Sequence, residues 1–254
     1  MGRALSNKIT IYLFLFAAVA SLAAGQQTLQ SPEAYWRQGL REVDELLRAG
    51  KWKDAEKRGR RLSQEILGGA GAGEGAAYSL AVASAFRAIA EAGLGQGEDA
   101  AWHWDMALNL FPDIGKTNVS PYGPKAAELR ERIVRPIDPV VTPDQMRILR
   151  EGGTVEVKPV GLQVEKPRIV KQTPPEYPKI LNALGTEGWV VISTVIELDG
   201  RPVSPRVMKV EGGGPAMAYA ALEALGQWRF EPAKLDGKPV RVFHVLTVNF
   251  KRAE

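Results

Sequence analysis

Apolar positions in residues 31–134 recur at helical spacing. In YWRQGLREVDELL, the residues Trp36, Leu40, Val43 and Leu47 fall on one face. Ser31-Pro32 ahead of them supplies a cap followed by a first-turn proline. AGKWKDAEKRGRRLSQEIL predicts a second helix after a turn at Gly50, and GGAGAGEG at 68–75 breaks the pattern. AAYSLAVASAFRAIAEAGL and GEDAAWHWDMALNLF predict another helix pair around Gly95, and PYGPKAAELRERIV predicts a closing helix.

From residue 135 the pattern changes in kind. Eight of the 17 prolines lie in 135–178: Pro136, Pro139, Pro143, Pro159, Pro167, Pro174, Pro175 and Pro178. Proline removes a backbone donor and pushes the residue before it away from helix. The stretch 135–164 therefore reads as a semi-extended linker with one short helix at PDQMRILREG. TVEVKPV reads either as linker or as a short strand.

The remainder alternates with period two. PPEYPKILNALG predicts a short helix closed by Gly185. EGWVVISTVIEL puts Val190, Ile192, Thr194, Ile196 and Leu198 on one face of a strand, and Asp199-Gly200 is a hairpin turn. RPVSPRVMKV returns as a strand whose two prolines mark it as an edge. A helix AMAYAALEALGQW then carries Met217, Ala221, Leu222, Leu225 and Trp228 as one stripe. Trp228 on its last turn and Phe230 beyond it are expected to clasp the sheet. Pro232 is expected to stop the helix, and Asp236-Gly237 to turn the chain into the last strand. That strand, VRVFHVLTVNFK, has Val240, Val242, Leu246, Val248 and Phe250 on one face with His244 among them.

Composition narrows the function classes. The 254 residues are 45% hydrophobic and 24% charged, as in ordinary globular proteins. The formal charge is +4; residues 1–25 contribute Arg3 and Lys8 and no acid, so the rest carries +2. That lacks the basic footprint of a nucleic-acid binder. A basic start, an apolar stretch from Ile9 to Ala24 and the small residues Ala23 and Gly25 read as a signal peptide cleaved near Gln26. The stretch is sixteen residues, against about 20 for a spanning helix, and a retained anchor is the alternative. With no cysteine, neither an N-terminal lipid attachment nor a disulfide is available.

Candidate chemistry is sparse. His103 in WHWD and His244 are the two histidines, too few for a metal site without cysteine. GGAGAGEG follows a helix and lacks the lysine of a phosphate loop. Lys51, Lys53, Lys57, Arg58, Arg60 and Arg61 alternate with acids and read as a solvated face, with a patch for an acidic partner as the alternative. No nucleophile–base–acid set is visible, so no catalytic residue, metal or cofactor is assigned and the chain is not read as an enzyme.

Two family resemblances follow from these residues. From Gly95, Ala100, Ala107, Leu108 and Pro112 stand at offsets 5, 12, 13 and 17, a spacing that resembles the tetratricopeptide repeat. Gly50 and Ala55 match it in the first pair, with Leu62 and Leu67 at the later offsets. More specific are Tyr177-Pro178, Glu187-Gly188-Trp189-Val190, Asp199-Gly200-Arg201-Pro202-Val203 and Trp228-Arg229-Phe230-Glu231-Pro232-Ala233, in this order. Over residues 165–252 they resemble the TonB C-terminal domain family. Ala218 departs from the aspartate usual near that family's helix start. The N-terminus lacks the family's histidine, and helical repeats replace its Lys-Pro and Glu-Pro spacer.

The resemblance implies an α+β chain. Segment 1–25 is the signal, 31–134 a tetratricopeptide-like all-α domain, 135–164 the linker, and 165–254 a small antiparallel three-stranded sheet with two helices. It implies β-augmentation, in which a partner segment adds to the edge of the last strand. That edge is Val240, Arg241, Val242, Phe243, His244, Val245, Leu246, Thr247, Val248, Asn249 and Phe250, with Arg241, Phe243 and Thr247 on the face that reads side chains. The implied partners are envelope proteins, outer-membrane transporters among them, with a second protein partner at the repeats and no nucleic acid. A periplasmic scaffold, an energy transducer anchored by its N-terminal helix, and an enzyme with an unseen site are the competing readings.

Overall fold

The computed structural model describes residues 31–69, 74–131, 155–156 and 164–251. The expected signal segment and the short helix at PDQMRILREG lie outside these residues. Four helices come first: α1 (Pro32–Arg48), α2 (Trp52–Gly69), α3 (Glu74–Leu94) and α4 (Gly97–Leu110). Two short 3-10 turns and α5 (Pro124–Glu131) follow. The turns after α1 and α3 fall at Gly50 (φ +68°) and Gly95 (φ +81°), a backbone region open to glycine. The helical stripe of α1 is buried as its spacing predicts, through Trp36, Leu40, Val43 and Leu47. A Cβ on Gly39 would lie 2.6 Å from Leu62, so α1 and α2 meet closely there.

The C-terminal part contains α6 (Lys179–Ala183), α7 (Gly214–Gly226) and nine strands. These are β1 (Val155–Glu156), β2 (Val164–Glu165), β3 (Arg168–Lys171), β4 (Gly188–Ile196), β5 (Pro202–Glu211), β6 (Arg229–Glu231), β7 (Ala233–Leu235), β8 (Lys238–Val240) and β9 (Val242–Phe250). The main sheet has the order β1-β9-β4-β5 and its pairs are antiparallel. Its three long strands are those the alternation predicts, and β5 lies at the edge its prolines require. The TVEVKPV segment contributes β1, the short-strand alternative. Two small ribbons, β2-β7-β8 and β3-β6, complete the strands.

Three expectations change in detail. Helix α7 ends at Gly226, so Trp228 lies beyond it rather than on its last turn. Pro232 falls between β6 and β7 and so separates two short strands instead of stopping the helix. Asp236 (φ +51°) and Gly237 (φ +74°) close the β7–β8 hairpin, as the Asp-Gly pair does in a type I′ turn, and do not feed the last strand directly.

The clasp itself is real. Trp228 is 2% exposed and donates its indole N–H to the Thr173 carbonyl at 2.8 Å. Phe230 is buried beside it, and its backbone N–H donates to the Gly200 carbonyl at 2.9 Å. Any Cβ on Gly200 would collide with the Phe230 carbonyl, so the hairpin turn needs glycine for space as well as for its φ of +81°.

Helix α7 decides the architecture. Nine of its 13 residues are buried. One side covers the sheet through contacts with β4 and β5; the other meets α3 and α4. The apolar core runs without a break from Leu40 and Leu80 through Met217 and Leu222 to Ile192 and Leu246. From Pro32 onward the chain is one compact unit. The proline-rich stretch therefore does not insulate the helices from the sheet, because α7 is shared by both. Ala218, where the related domains usually carry aspartate, is 5% exposed here, and a carboxylate in its place would lose its water.

Replacing Trp228 with alanine is expected to lower the unfolding free energy by about 3–5 kcal/mol. Because the core is continuous, helices and sheet are expected to unfold in one transition. Denaturant unfolding of the full chain, followed in parallel by far-UV and near-UV circular dichroism, checks this. A helical midpoint that stays at the wild-type value while the near-UV midpoint moves would show two independent parts.

Candidate functional site

The sheet presents two edges of different character. On the β5 side, α4 supplies Asn109. Its side-chain amide donates to the Pro205 carbonyl at 2.8 Å, and its oxygen accepts from the Val207 N–H at 2.8 Å. One asparagine thus imitates a neighbouring strand at the place where a proline has broken the ladder. Arg201, at the start of this strand, also pairs with Glu98 of α4.

On the other side lies β9. Its inner side pairs with β4 along its whole length, from Val242 against Ile196 to Phe250 against Gly188. Its outer side carries β1, with Val155 against Val245 and Glu156 against His244. The expected strand Val240–Phe250 is divided: Val240 ends β8, opposite Ala233, and Arg241 lies between the strands, paired with Glu197 at 2.6 Å. Val242, Phe243, His244, Val245, Leu246, Thr247, Val248, Asn249 and Phe250 form β9.

The motif residues hold this strand in place. Gly188 opens β4 against Phe250, and a Cβ there would press on the Glu211 carbonyl. Pro178 precedes α6, and Tyr177 stacks edge-on against Phe250 at 5.5 Å while its hydroxyl donates to the Thr186 carbonyl. The Asp199 carboxylate accepts from the Arg201 N–H at 3.1 Å and fixes the hairpin. His244 is 4% exposed and meets Phe230 edge-on at 5.6 Å. Burial, with Lys166 adding to it, lowers its pKa to about 4, so it is neutral at neutral pH and serves as a core residue.

A second cluster lies behind the sheet, between α3, α4 and α7. Arg87 is 4% exposed; it pairs with Glu223 and donates to the Tyr219 hydroxyl at 3.2 Å. Tyr219 donates to Glu223 at 2.7 Å. His103 Nδ1 lies 2.7 Å from Glu91 and 3.0 Å from the Asp99 carbonyl, and its Nε2 lies 3.6 Å from Glu223. Burial disfavours charge at Glu223, but the His103 hydrogen bond and the Arg87 charge outweigh it and hold the carboxyl well below its ordinary range. Burial and Arg87 push His103 down, yet the hydrogen bonds it donates to Glu223 and Glu91 leave its pKa raised. Sequence reasoning singled out His103 alone. Arg87, Glu91 and Glu223 sit at spacings that suit a solvated helix face, and only the docking of α7 shows Arg87 and Glu91 as buried and Glu223 as their partly covered neighbour. Among the described residues, no group of three or more His, Cys, Asp or Glu could hold a metal.

The geometry agrees with what comparison finds. Residues 173–252 match the family model described as the Gram-negative bacterial TonB protein C-terminal. Over these residues the chain is similar to the TonB C-terminal domain. It is 31% identical over 111 residues to Protein TonB of Vibrio cholerae serotype O1; the match covers 43% of this chain and 45% of that protein. The chain thus spans under half the length of that relative. A solution NMR structure of the Pseudomonas aeruginosa TonB CTD is 26% identical, with 35% of this chain and 88% of that chain covered and a TM-score of 0.30. The TonB motifs Tyr177, Gly188, Gly200, Trp228 and Phe230 are the residues that pin β9 and its hairpin neighbours.

The buried cluster makes stability pH-dependent on both sides. Glu223 has a folded pKa below its unfolded one, so its contribution is present above the ordinary carboxyl value of 4.5 and is lost as pH falls through the folded value. His103 has a folded pKa above the ordinary 6.5, so its contribution is complete below 6.5 and is lost as pH rises through the folded value. Denaturant unfolding across pH is expected to show both declines. Glu223→Gln is expected to cost about 3 kcal/mol near neutral pH by leaving Arg87 without its partner, and to flatten the acid side. His103→Gln is expected to flatten the alkaline side and also to weaken the acid-side decline, since His103 helps hold the Glu223 carboxyl down.

Proposed function

We propose that this protein is a periplasmic scaffold of the bacterial envelope. Its TonB-type domain takes an extended segment of an envelope protein as a strand along the outer edge of β9. The helices behind it offer a separate surface to a second partner. The observation that carries the reading is the asymmetry of the sheet. Beside β5, Asn109 and the prolines blunt the ladder, whereas among the described residues the β9 edge carries the two-residue β1. Backbone groups on such an edge supply affinity, and side chains of alternate residues supply selectivity. For the second partner, an open groove of about 640 Å³ lies between α1 and α2. It is lined by Glu42, Asp54, Lys57, Arg58 and Arg61 among others, which suits a peptide of mixed charge. The match to the TonB C-terminal family supports a role among envelope proteins linked to outer-membrane transport.

Successive residues of a strand direct their N–H groups to opposite sides, so Val245 and Leu246 test the edge as a pair. Proline at the position whose N–H points away from β4 is expected to keep the fold and abolish recovery of partners from envelope extract by the full chain. Phe243→Ala is expected to weaken recovery less than that proline does. If both proline variants stay folded and recover the wild-type partners, strand addition at β9 is wrong.

A second reading is favoured by the match to a protein named TonB: an energy transducer that keeps its apolar N-terminal segment as an inner-membrane anchor. The scaffold reading expects the mature chain to begin near Gln26. Mass spectrometry of the protein from its native envelope separates the two, since an intact Met1 or Gly2 terminus belongs to the transducer.

A further inference from the structure

The edge read above as the acceptor is not bare. The chain's own β1 lies on it, antiparallel, with Val155 opposite Val245 and Glu156 opposite His244. This is the geometry an added strand adopts, supplied in cis from a segment that precedes the domain. We propose that β1 is a resident strand that holds the β9 edge, and that a partner strand binds by displacing it. The proposal rests on the reading of β9 as the acceptor and adds the competitor that regulates access to it.

Three features of the ladder suit a displaceable occupant. Among the described residues the ladder is short, two pairs against the nine residues of β9. Its described pairs lie at His244 and Val245, the third and fourth residues of β9, so an incoming strand that begins pairing toward Phe250 advances over Val245 and His244 to displace it. The occupied positions are also held firmly from the other side, because His244 pairs with Thr194 and Val245 with Ser193 on β4. Exchange of the outer strand therefore leaves the inner ladder and the core face of the sheet unchanged. A resident strand of this kind also protects an exposed edge from pairing with another copy, which isolated edges otherwise invite. The β5 edge solves the same problem with Asn109, a side chain fixed in a packed helix. The β9 edge solves it with backbone that can leave.

Backbone hydrogen exchange on the full chain tests the first half. In an antiparallel pair, opposed residues alternate between hydrogen-bonded and non-hydrogen-bonded pairs, so one of Val155 and Glu156 directs its N–H at β9. Val155→Pro and Glu156→Pro are compared with wild type by mass spectrometry. One of the two is expected to speed exchange in 242–250 by about tenfold, with β5 unchanged and the far-UV spectrum retained. If neither folded variant changes exchange in β9, the proposal is overturned. The second half uses a synthetic peptide of residues 151–160, EGGTVEVKPV, as the incoming strand. It is expected to bind the accelerating variant at least about tenfold more tightly than wild type and to restore protection. Equal affinity for both overturns the proposal, because nothing then competes for the edge. Accelerated exchange with no peptide bound to either protein leaves β1 as a cover but overturns displacement, and with it the acceptor reading of the proposed function.

Discussion

The burial of α7 from both sides is the constraint on which the rest of the structure depends. A helix that covers a small sheet ordinarily keeps one face in water. Here that outer face meets α3 and α4, and residues from Ala216 to Leu225 are buried apart from Glu223. The alanines of AMAYAALEAL follow from this, since small side chains let helices approach from one side and strands from the other. The same burial makes Arg87 and Glu223 interdependent. Removing an arginine from water is costly, and the Glu223 carboxylate with the Tyr219 hydroxyl offsets that cost only in one register. Sliding the helices by a turn would leave Arg87 unpaired. The pair therefore selects a docking geometry more than it adds net stability.

The sheet was legible in the sequence because its signals are local. Alternation in EGWVVISTVIEL and VRVFHVLTVNFK fixed faces, Asp199-Gly200 fixed a hairpin, and two prolines marked β5 as an edge. The helix pairs were legible for the same reason. What the sequence could not show was how its parts meet. Glu91 and Arg87 lie in AAYSLAVASAFRAIAEAGL as isolated charges in an alanine helix, and nothing nearby names Glu223, more than a hundred residues on, as the partner of Arg87. Pro232 misled because proline after a helical run usually marks the stop, whereas α7 had already ended at Gly226. The strand Val240–Phe250 looked continuous since β-formers flank Arg241 on both sides. Its division is set by the β7–β8 hairpin, which claims Val240 for another ribbon.

The buried cluster and the sheet edge are joined by geometry rather than by contact. Strand exchange at β9 uses backbone groups that lie in the plane of the sheet, whereas α7 rests on its face through side chains such as Ile192, Leu246 and Val248. The two sets of interactions are nearly perpendicular. A strand can come and go at the edge without lifting α7, and the helices docked on α7 keep their place. The face organises the molecule, and the edge lies clear of that packing.

That separation explains why the two histidines differ so much in state. His244 lies on the core face of β9 beside Phe230, where burial keeps it neutral. A charged imidazole there would disturb the face that carries α7. His103 lies at the outer boundary of the same helix between Glu91 and Glu223, where a proton is favoured and ties α4 to both carboxylates. Each ring is held in the state its layer requires. The core face beside Phe230 is held by packing, and the buried Arg87, Glu91 and His103 gather where groups from three helices converge.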